Sequence, residues 1–176
     1  MRKKFQQIQA HFFGLALGLF VIWILLSGQF EMNFLLFGVA SSLAIAYICY
    51  PLLNVTNEKT GKEYFVFGVN YLKLLIYFFW LVKEIIKASL DVTKEILKPH
   101  MDYEPRIAYF SMPFENPIAD VFLSHSIILT PGTITIDISK DGVYEVHALH
   151  ESLAEGVFSG EMQIKIAKLF NETCEF

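Results

Sequence analysis

The chain has 176 residues, of which 54% are hydrophobic and 18% are charged, and its formal net charge is −4 at pH 7. This composition argues against a purely water-soluble fold, and the length allows one membrane region plus one small soluble domain. The charges form no basic cluster of the kind that binds nucleic acid. Cys49 and Cys174 are the two cysteines, which argues against a disulfide scaffold or a four-ligand zinc site.

Two long apolar runs follow a basic N-terminal segment. They cover residues 10–27 and 32–53, and Glu31 between them is the only charged residue of this region. As helices the runs would be about 27 and 33 Å long, close to the hydrocarbon thickness of a bilayer. We therefore expect a transmembrane helical hairpin in an N-terminal domain of residues 1–63. The alternatives are a cleaved signal peptide, for which the first run is long, and a soluble core, which would need a larger protein around it.

Small residues recur at helical spacing within both apolar runs. Four-residue spacing puts them on one helix face, where two backbones can approach closely. The candidate packing residues are Gly14, Gly18, Gly38, Ser42 and Ala46. Small residues are also common in membrane helices in general, so the packing partner stays open at this point.

Residues 64–98 predict a third helix with two different halves. Its first part, residues 64–82, is long enough to cross a membrane but contains Lys73, and its second part is amphipathic. The basic residues Arg2, Lys3 and Lys4 favour a cytoplasmic N-terminus. A third crossing would then put the basic residues after it outside the cell. We favour a tilted or interfacial helix in which Lys73 snorkels, although Lys73 remains a candidate ionisable group near the membrane.

The second half of this predicted helix carries acidic residues that precede basic residues by three positions. Such pairs support an exposed helical face, because side chains three apart are neighbours on a helix surface. The pairs are Glu84 and Lys87, Asp91 and Lys94, and Glu95 and Lys98. The helix is expected to end before Pro99.

Residues 99–176 alternate short apolar elements and predict a small soluble α+β domain with the element order βαββα. A strand at residues 107–112 precedes Asn116-Pro117, which is typical of a helix start because asparagine caps the first turn and proline opens it. We expect His125 to lie on the apolar face of this helix, in the core. The helix is predicted to stop near Thr130-Pro131-Gly132.

Two strands and a last helix complete the predicted domain. Residues 133–138 alternate in period two, and Asp141-Gly142 supplies a hairpin turn to the return strand. Three isoleucines of the first of these strands are expected to face the core: Ile134, Ile136 and Ile138. Ser152 and Glu155 have the spacing of a capping box for the last helix. The expected buried stripe of that helix is Met162, Ile166, Leu169 and Phe170.

No motif in the sequence predicts catalysis. His147 and His150 are three residues apart on an extended strand, so they point to opposite faces and make a poor metal pair. The run Ser124-His125-Ser126 lacks an orienting acid, and no glycine-rich phosphate loop is present. We therefore predict no catalytic, cofactor-binding or metal-binding residues, no cofactor, and a protein that is not an enzyme.

Several segments together resemble a known family, the E subunit of Mrp-type multisubunit Na+/H+ antiporters, also described as monovalent cation/proton antiporters. The resemblance covers about residues 12–170, in the same order and at similar spacing. The most specific segment is Leu129-Thr130-Pro131-Gly132-Thr133. The other segments are residues 23–28, 33–38, 80–97 and 147–149. Where many relatives carry Ser-Asn in the amphipathic helix, this chain has Ala88-Ser89, so a role for that asparagine is not expected here.

The resemblance implies an accessory subunit of a bacterial plasma-membrane complex that exchanges cytoplasmic sodium for external protons. Its implied partners are the other antiporter subunits and membrane lipid, with sodium and protons handled by the complex and no nucleic acid bound. We expect a cytoplasmic C-terminal domain. We also expect an assembly role for the turn formed by Thr130, Pro131, Gly132 and Thr133. The alternative is a membrane-anchored regulatory domain that binds a ligand on a sheet face made of Thr135, Asp137, Glu145 and His147.

Overall fold

The computed structural model describes residues 2–98, 105–150 and 159–173, with the backbone alone for residues 2–10. It combines helices with sheet and has a long apolar helix near the N-terminus, as the sequence predicts. The chain divides into two compact units. The first unit comprises Met1–Val55 and Phe65–Phe67, and the second comprises Thr56–Tyr64 and Gly68–Phe176.

Two helices make up most of the first unit. Helix α1 runs over Arg2–Ser27 and helix α2 over Met32–Cys49, followed by a short 3-10 helix, Tyr50–Leu53. Helix α1 ends where Gly28 takes a φ of 61°, a left-handed conformation that favours glycine, and its amide donates to Ile24 O over 3.1 Å. Among the described helices, Met32–Leu53 is long and apolar enough to cross a membrane, and His11–Ser27 is a shorter apolar helix.

A small hairpin and a capped helix follow. Strands β1 (Asn54–Thr56) and β2 (Glu63–Phe65) form a two-stranded sheet. Helix α3 covers Tyr71–Ile96, so the expectation of a helix from residue 64 onward was wrong. The reason is Asn70, whose side chain accepts hydrogen bonds from the amides of Leu72 at 3.0 Å and Lys73 at 3.3 Å and so caps the helix.

The second unit contains an antiparallel three-stranded sheet. Its strands are β3 (Arg106–Ser111), β4 (Thr133–Ile138) and β5 (Val143–Ala148), with β5 in the centre. Helix α4 (Pro117–Leu129) connects β3 to β4, and helix α5 (Glu161–Phe170) comes last. Helices α3, α4 and α5 share a core with one face of this sheet. The largest fully buried side chains are Leu123, Ile127, Tyr144, Val146 and Ile166.

The isoleucines of β4 are not placed as expected. Ile134 is 57% exposed and Ile136 is 54% exposed, whereas Thr133 is buried. The threonine side faces inward because its hydroxyl has an acceptor there, the carbonyl oxygen of Ile127 at 2.8 Å. A bulge between Thr135 and Asp137 then turns Ile138, opposite Tyr144, back toward the core.

Two further expectations about the second unit need correction or fall outside the described residues. His125 is exposed and is not a core histidine; its Nδ1 lies 2.9 Å from Val121 O. The capping box of Ser152 and Glu155 lies outside the described residues. Helix α5 begins after Gly160, whose φ is 73°. Of its expected buried stripe, Ile166 and Leu169 are buried, whereas Met162 and Phe170 are half-buried against the same core.

Candidate functional site

Helix α2 receives the side chains of α1 on a face of small residues. A Cβ atom on Gly38 would lie 2.5 Å from Trp23 Cδ1 and 3.1 Å from Phe20 Cε2, so only glycine permits this approach. Ser42 and Ala46 continue the same buried face. This is the small-residue packing that lets membrane helices come close together.

Gly14 and Gly18 take no part in this contact. A Cβ atom on either residue would meet nothing within 4 Å. The five small residues predicted as a packing set therefore form two separate faces. One face is filled by α1 itself, and the other is open in this chain.

Aromatic side chains gather at one end of the first unit. The rings of His11 and Phe65 stack with centroids 4.4 Å apart and an interplanar angle of 5°. Tyr50 lies edge-on to Phe12 at 6.0 Å and is tilted to Phe65 at 5.8 Å. Amphipathic aromatic rings of this kind are enriched where membrane proteins meet the headgroup region.

Helix α3 is fastened to the other helices of the second unit by polar contacts on one side. Tyr77 donates a hydrogen bond from its hydroxyl to Ser126 Oγ over 2.7 Å, and Trp80 donates from Nε1 to Glu161 Oε1 over 3.1 Å. Lys73 donates from Nζ to Asn171 Oδ1 over 2.5 Å. The amino group of Lys73 thus has partners at the end of α5.

The predicted turn lies beside α3. Gly132 has a φ of 90°, and its carbonyl oxygen accepts from the amide of Leu149 at 2.9 Å. A cavity of about 300 Å³ is lined by Thr130, Pro131 and Thr133 and by Trp80 of α3. The turn and the amphipathic helix, which are separate motifs in the sequence, therefore meet at one place.

The charged half of α3 carries the ion pairs that the sequence predicts. Glu84 and Lys87 are 3.9 Å apart, Asp91 and Lys94 are 2.9 Å apart, and Glu95 and Lys98 are 2.5 Å apart. These lysine side chains are more than half exposed, so each pair contributes little to stability. The pairs keep this half of the helix compatible with water.

A polar network holds the start of α4. Asn116 accepts from the amide of Ile118 at 3.0 Å, as an N-cap should, and its own amide donates to Glu172 Oε1 over 2.8 Å. Tyr144 donates from its hydroxyl to Asp120 Oδ1 over 2.7 Å. Burial raises the pKa of Asp120 to about 6, although the Tyr144 hydrogen bond acts in the opposite direction.

Burial also shifts the pKa values of the other two ionisable groups in this network, Glu172 and Tyr144. Burial raises the pKa of Glu172 above its ordinary value, against the hydrogen bonds that its carboxylate accepts from the amides of Asn116 and Glu115. Burial, together with the neighbouring Asp120 carboxylate, also raises the pKa of Tyr144. We interpret the network as a structural fastening, because the Glu172 and Asp120 carboxylates accept hydrogen bonds from protein donors. Glu172 also lines a cavity of about 640 Å³ between α3 and α5.

The sheet face turned away from the helices is the remaining candidate surface. We call it the outer sheet face and define it by the outward positions of the three strands: Ile107, Tyr109, Ser111, Ile134, Ile136, Asp137, Val143, Glu145 and His147. Thr135 faces the other way, opposite buried Val146, so the ligand face proposed for the alternative function does not exist as a set.

The described residues contain no group of three or more histidine, cysteine, aspartate or glutamate side chains placed to hold a metal ion. Sequence analysis missed the residues that fasten the second unit: Asn70, Tyr77, Asp120, Asn171 and Glu172. An asparagine directly before an apolar helical run is a capping signal, so the sequence alone could have predicted the cap at Asn70. The other residues are paired with partners far away in the sequence, and no local pattern indicates such pairs.

Comparison with known proteins gives concordant matches. The family model described as "Na+/H+ ion antiporter subunit" matches residues 16–164. The Na(+)/H(+) antiporter subunit E1 of Staphylococcus haemolyticus is 33% identical over 156 residues, which covers 88% of this chain and 91% of that relative. The subunit E1 of Staphylococcus saprophyticus is 32% identical over 121 residues, which covers 69% of this chain and 70% of that relative.

A solved structure also resembles the chain. It belongs to the membrane-bound sulfane sulfur reductase, described as an archaeal respiratory membrane complex. The TM-score is 0.65, with 23% sequence identity, and the match covers 88% of this chain and 96% of that chain. At this identity the similarity concerns the fold alone.

Proposed function

The chain belongs to the family of Na+/H+ antiporter E subunits, and we propose that it is an accessory subunit, needed for assembly of the antiporter and for cation efflux, rather than the ion carrier. As a member of this family it is a membrane protein and a subunit of a multisubunit antiporter. The main support is the absence of acidic and basic side chains from residues 12–27 and from α2. Ion relays inside a membrane need such side chains facing the protein interior.

The first unit is the membrane anchor in this proposal. Helices α1 and α2 form a transmembrane hairpin, which is supported by the small-residue contact at Gly38 and by the apolar side chains on the outside of both helices. The aromatic cluster of His11, Tyr50 and Phe65 marks one membrane interface, and Gly28 lies in the turn at the opposite one.

Helix α3 lies along the cytoplasmic interface in this proposal and does not cross the bilayer. Tyr77 and Leu81 are buried in the core that α3 shares with the sheet, and Lys73 is bonded to the end of α5. A helix surrounded by lipid would have to give up these contacts. Most of the exposed side chains of its first half are apolar and suit the headgroup boundary: Leu72, Leu75, Ile76, Phe78 and Phe79.

The accessory role is tested by separating the chain from its complex. Reconstituted alone in liposomes with an imposed proton gradient, the chain is expected to show no sodium-dependent proton exchange, whereas the complete complex does. A tagged chain purified from native membranes should bring several large hydrophobic proteins with it. Exchange by the chain alone, or purification of the chain without partners, would contradict the proposal.

The orientation is tested by reporter fusions after Asn54 and after Phe176. Both fusions are expected to report from the cytoplasm, because the basic residues of the N-terminus, the hairpin turn and α3 are then all on one side. A periplasmic signal after Phe176 combined with a cytoplasmic signal after Asn54 would mean that α3 spans the membrane.

A further inference from the structure

The outer sheet face combines apolar exposure with a pair of carboxylates. Tyr109 is 59% exposed and Ile107 is 51% exposed on β3, and Ile134 and Ile136 are similarly exposed on β4. Within the described residues, the helices that pack on this sheet lie on its other face. Apolar side chains clustered on a sheet in this way mark a surface that another molecule covers.

Two acidic residues are directly opposite each other in this apolar surface. Asp137 pairs in register with Glu145, and the bulge in β4 is what brings Asp137 onto the same face as Glu145. Like charges directly opposite each other on neighbouring strands destabilise a sheet. Tyr109 donates a hydrogen bond to Glu145 Oε1 over 3.0 Å, which satisfies one oxygen but supplies no positive charge.

Among the described residues, no lysine or arginine on the same face offsets the two carboxylates. The outward positions of β3, β4 and β5 contain neither lysine nor arginine. Arg106, at the start of β3, pairs with buried Ala148 and so belongs to the inward-facing set. The face therefore combines an apolar surface with an uncompensated acidic pair.

We propose that the outer sheet face is the surface by which the second unit docks onto another antiporter subunit, and that the partner presents an arginine or lysine surrounded by apolar side chains. The basic group lies between Asp137 and Glu145, and the apolar surround covers Ile134, Ile136 and Tyr109. This inference rests on the proposed accessory function and adds the site and the chemistry of the contact. Buried charge pairs of this kind give an interface its register and specificity.

The acidic pair excludes two other occupants. The cytoplasmic leaflet of a membrane is negatively charged and would repel the face. A second copy docked through the same face would bring the Asp137 and Glu145 carboxylates of both chains together, which is costly in a contact that excludes water. A subunit with a basic centre meets neither objection.

Charge reversal in the complete complex tests the contact. Glu145→Lys should lower the amount of this chain recovered with a tagged large subunit by roughly tenfold, as expected for loss of one close charge pair. The substitution replaces the acid–acid pair by a favourable pair with Asp137, so folding of the domain is not threatened. Glu58→Lys makes the same charge change at an exposed position in the turn between β1 and β2 and should leave the recovery unchanged.

A labelling experiment tests the same face without altering its charge. Ile134→Cys should react with a maleimide reagent at least tenfold more slowly in the assembled complex than in membranes that contain the chain alone. Leu97→Cys, at the exposed end of α3, should react equally in both. The labelled peptide is identified by mass spectrometry, so Cys49 and Cys174 do not interfere.

The outcomes separate the docking surface from the accessory function. Full recovery of the Glu145→Lys variant, or equal labelling of Ile134→Cys in both samples, overturns the proposed surface while the wild-type chain still purifies with its partners. Failure of the wild-type chain to purify with any partner overturns the accessory function itself. Protection of Ile134→Cys by anionic vesicles alone would overturn the choice of a protein partner.

Discussion

The two units of the chain differ in the kind of side chain that they bury. In the first unit Leu26 is 83% exposed and Phe37 is 69% exposed, while the buried positions of α2 are Gly38, Ser42 and Ala46. In the second unit Leu123 and Tyr144 are fully buried. In water, each exposed leucine side chain would cost roughly 2 kcal/mol relative to a buried one. This difference supports the proposal that the first unit lies in lipid and the second in water.

The difference also extends to the polar groups. Helix α2 begins after Glu31 without a side-chain cap. The second unit instead uses side chains such as Asn70 and Asn116 to cap helices, and it joins distant segments through Glu172. We therefore expect substitutions to destabilise the two units through different interactions.

The largest expected effect comes from Gly142→Ala in the second unit. Its φ of 77° strains any residue with a Cβ, and that atom would lie 2.6 Å from the backbone Cα of Pro113. Strain and overpacking together should lower the free energy of unfolding by about 3 kcal/mol or more. Rapid proteolysis of the domain in membranes is the readout.

Gly61→Ala is the matched control for this change. Gly61 has a φ of 64°, but a Cβ atom there would meet nothing within 4 Å. Only the backbone strain applies, so the loss should be about 1–2 kcal/mol. Equal proteolysis of the two variants would show that the close approach to Pro113 is unimportant.

The next largest effect is expected in the first unit from Gly38→Leu. The added side chain would displace Trp23 and separate the two helices, at a cost of about 1–3 kcal/mol. Disulfide cross-linking between cysteines introduced on α1 and α2 should fall in the chain expressed without other subunits. Gly14→Leu should leave that cross-linking intact, since its side chain would enter open space.

The Gly14 variant also extends the comparison to the complex. If the open face of Gly14 and Gly18 is a contact with another subunit, Gly14→Leu should reduce recovery of the complex without changing the hairpin itself. Unchanged recovery would assign that face to lipid.

A smaller effect concerns pH and is confined to the second unit. Burial raises the pKa of Asp120 from 3.8 to about 6. A raised folded-state pKa means that the stabilisation is complete below pH 3.8 and is lost as the pH rises through 6. The melting temperature of the second unit, followed by Trp80 fluorescence, should fall over this range. Asp120→Asn should flatten the slope and Asp91→Asn should not; an identical slope in all three proteins would contradict this account.

The smallest effect is expected from Lys62→Met in the hairpin turn. Lys62 Nζ lies 2.6 Å from Glu115 Oε2, but both side chains are more than half exposed. The neighbouring Glu115 raises the pKa of Lys62, yet water screens the pair. We expect the melting temperature to change by about 1 °C or less. A much larger fall would show that the hairpin turn is a fastening point of the second unit.

The comparison also explains which structural features the sequence alone could predict. Local chemistry was sufficient where the structural cause is local. Asn116-Pro117 predicted a helix start and α4 begins at Pro117, and Asp141-Gly142 predicted a turn in which Gly142 has a positive φ. The three ion pairs of α3 were predicted from spacing alone and are confirmed.

The errors arose where a distant partner decides the outcome. A period-two pattern defines two faces of a strand but does not say which face is buried. Thr133 and Thr135 face inward because carbonyl oxygens of α4 accept their hydroxyls, at 2.8 and 3.4 Å, and that leaves Ile134 and Ile136 outside. Sequence analysis therefore could not identify the outer sheet face, although it predicted the strands that form it.

The most direct test of the proposal that the first unit lies in lipid and the second in water is the collisional accessibility of spin labels in the reconstituted chain. Labels at Leu36 on α2 and at Glu58 in the hairpin turn are compared for oxygen, which concentrates in lipid, and for a water-soluble nickel complex. Both positions are exposed in the chain. The account predicts that Leu36 is accessible to oxygen and protected from nickel, with the reverse at Glu58. Nickel access at both positions would contradict it.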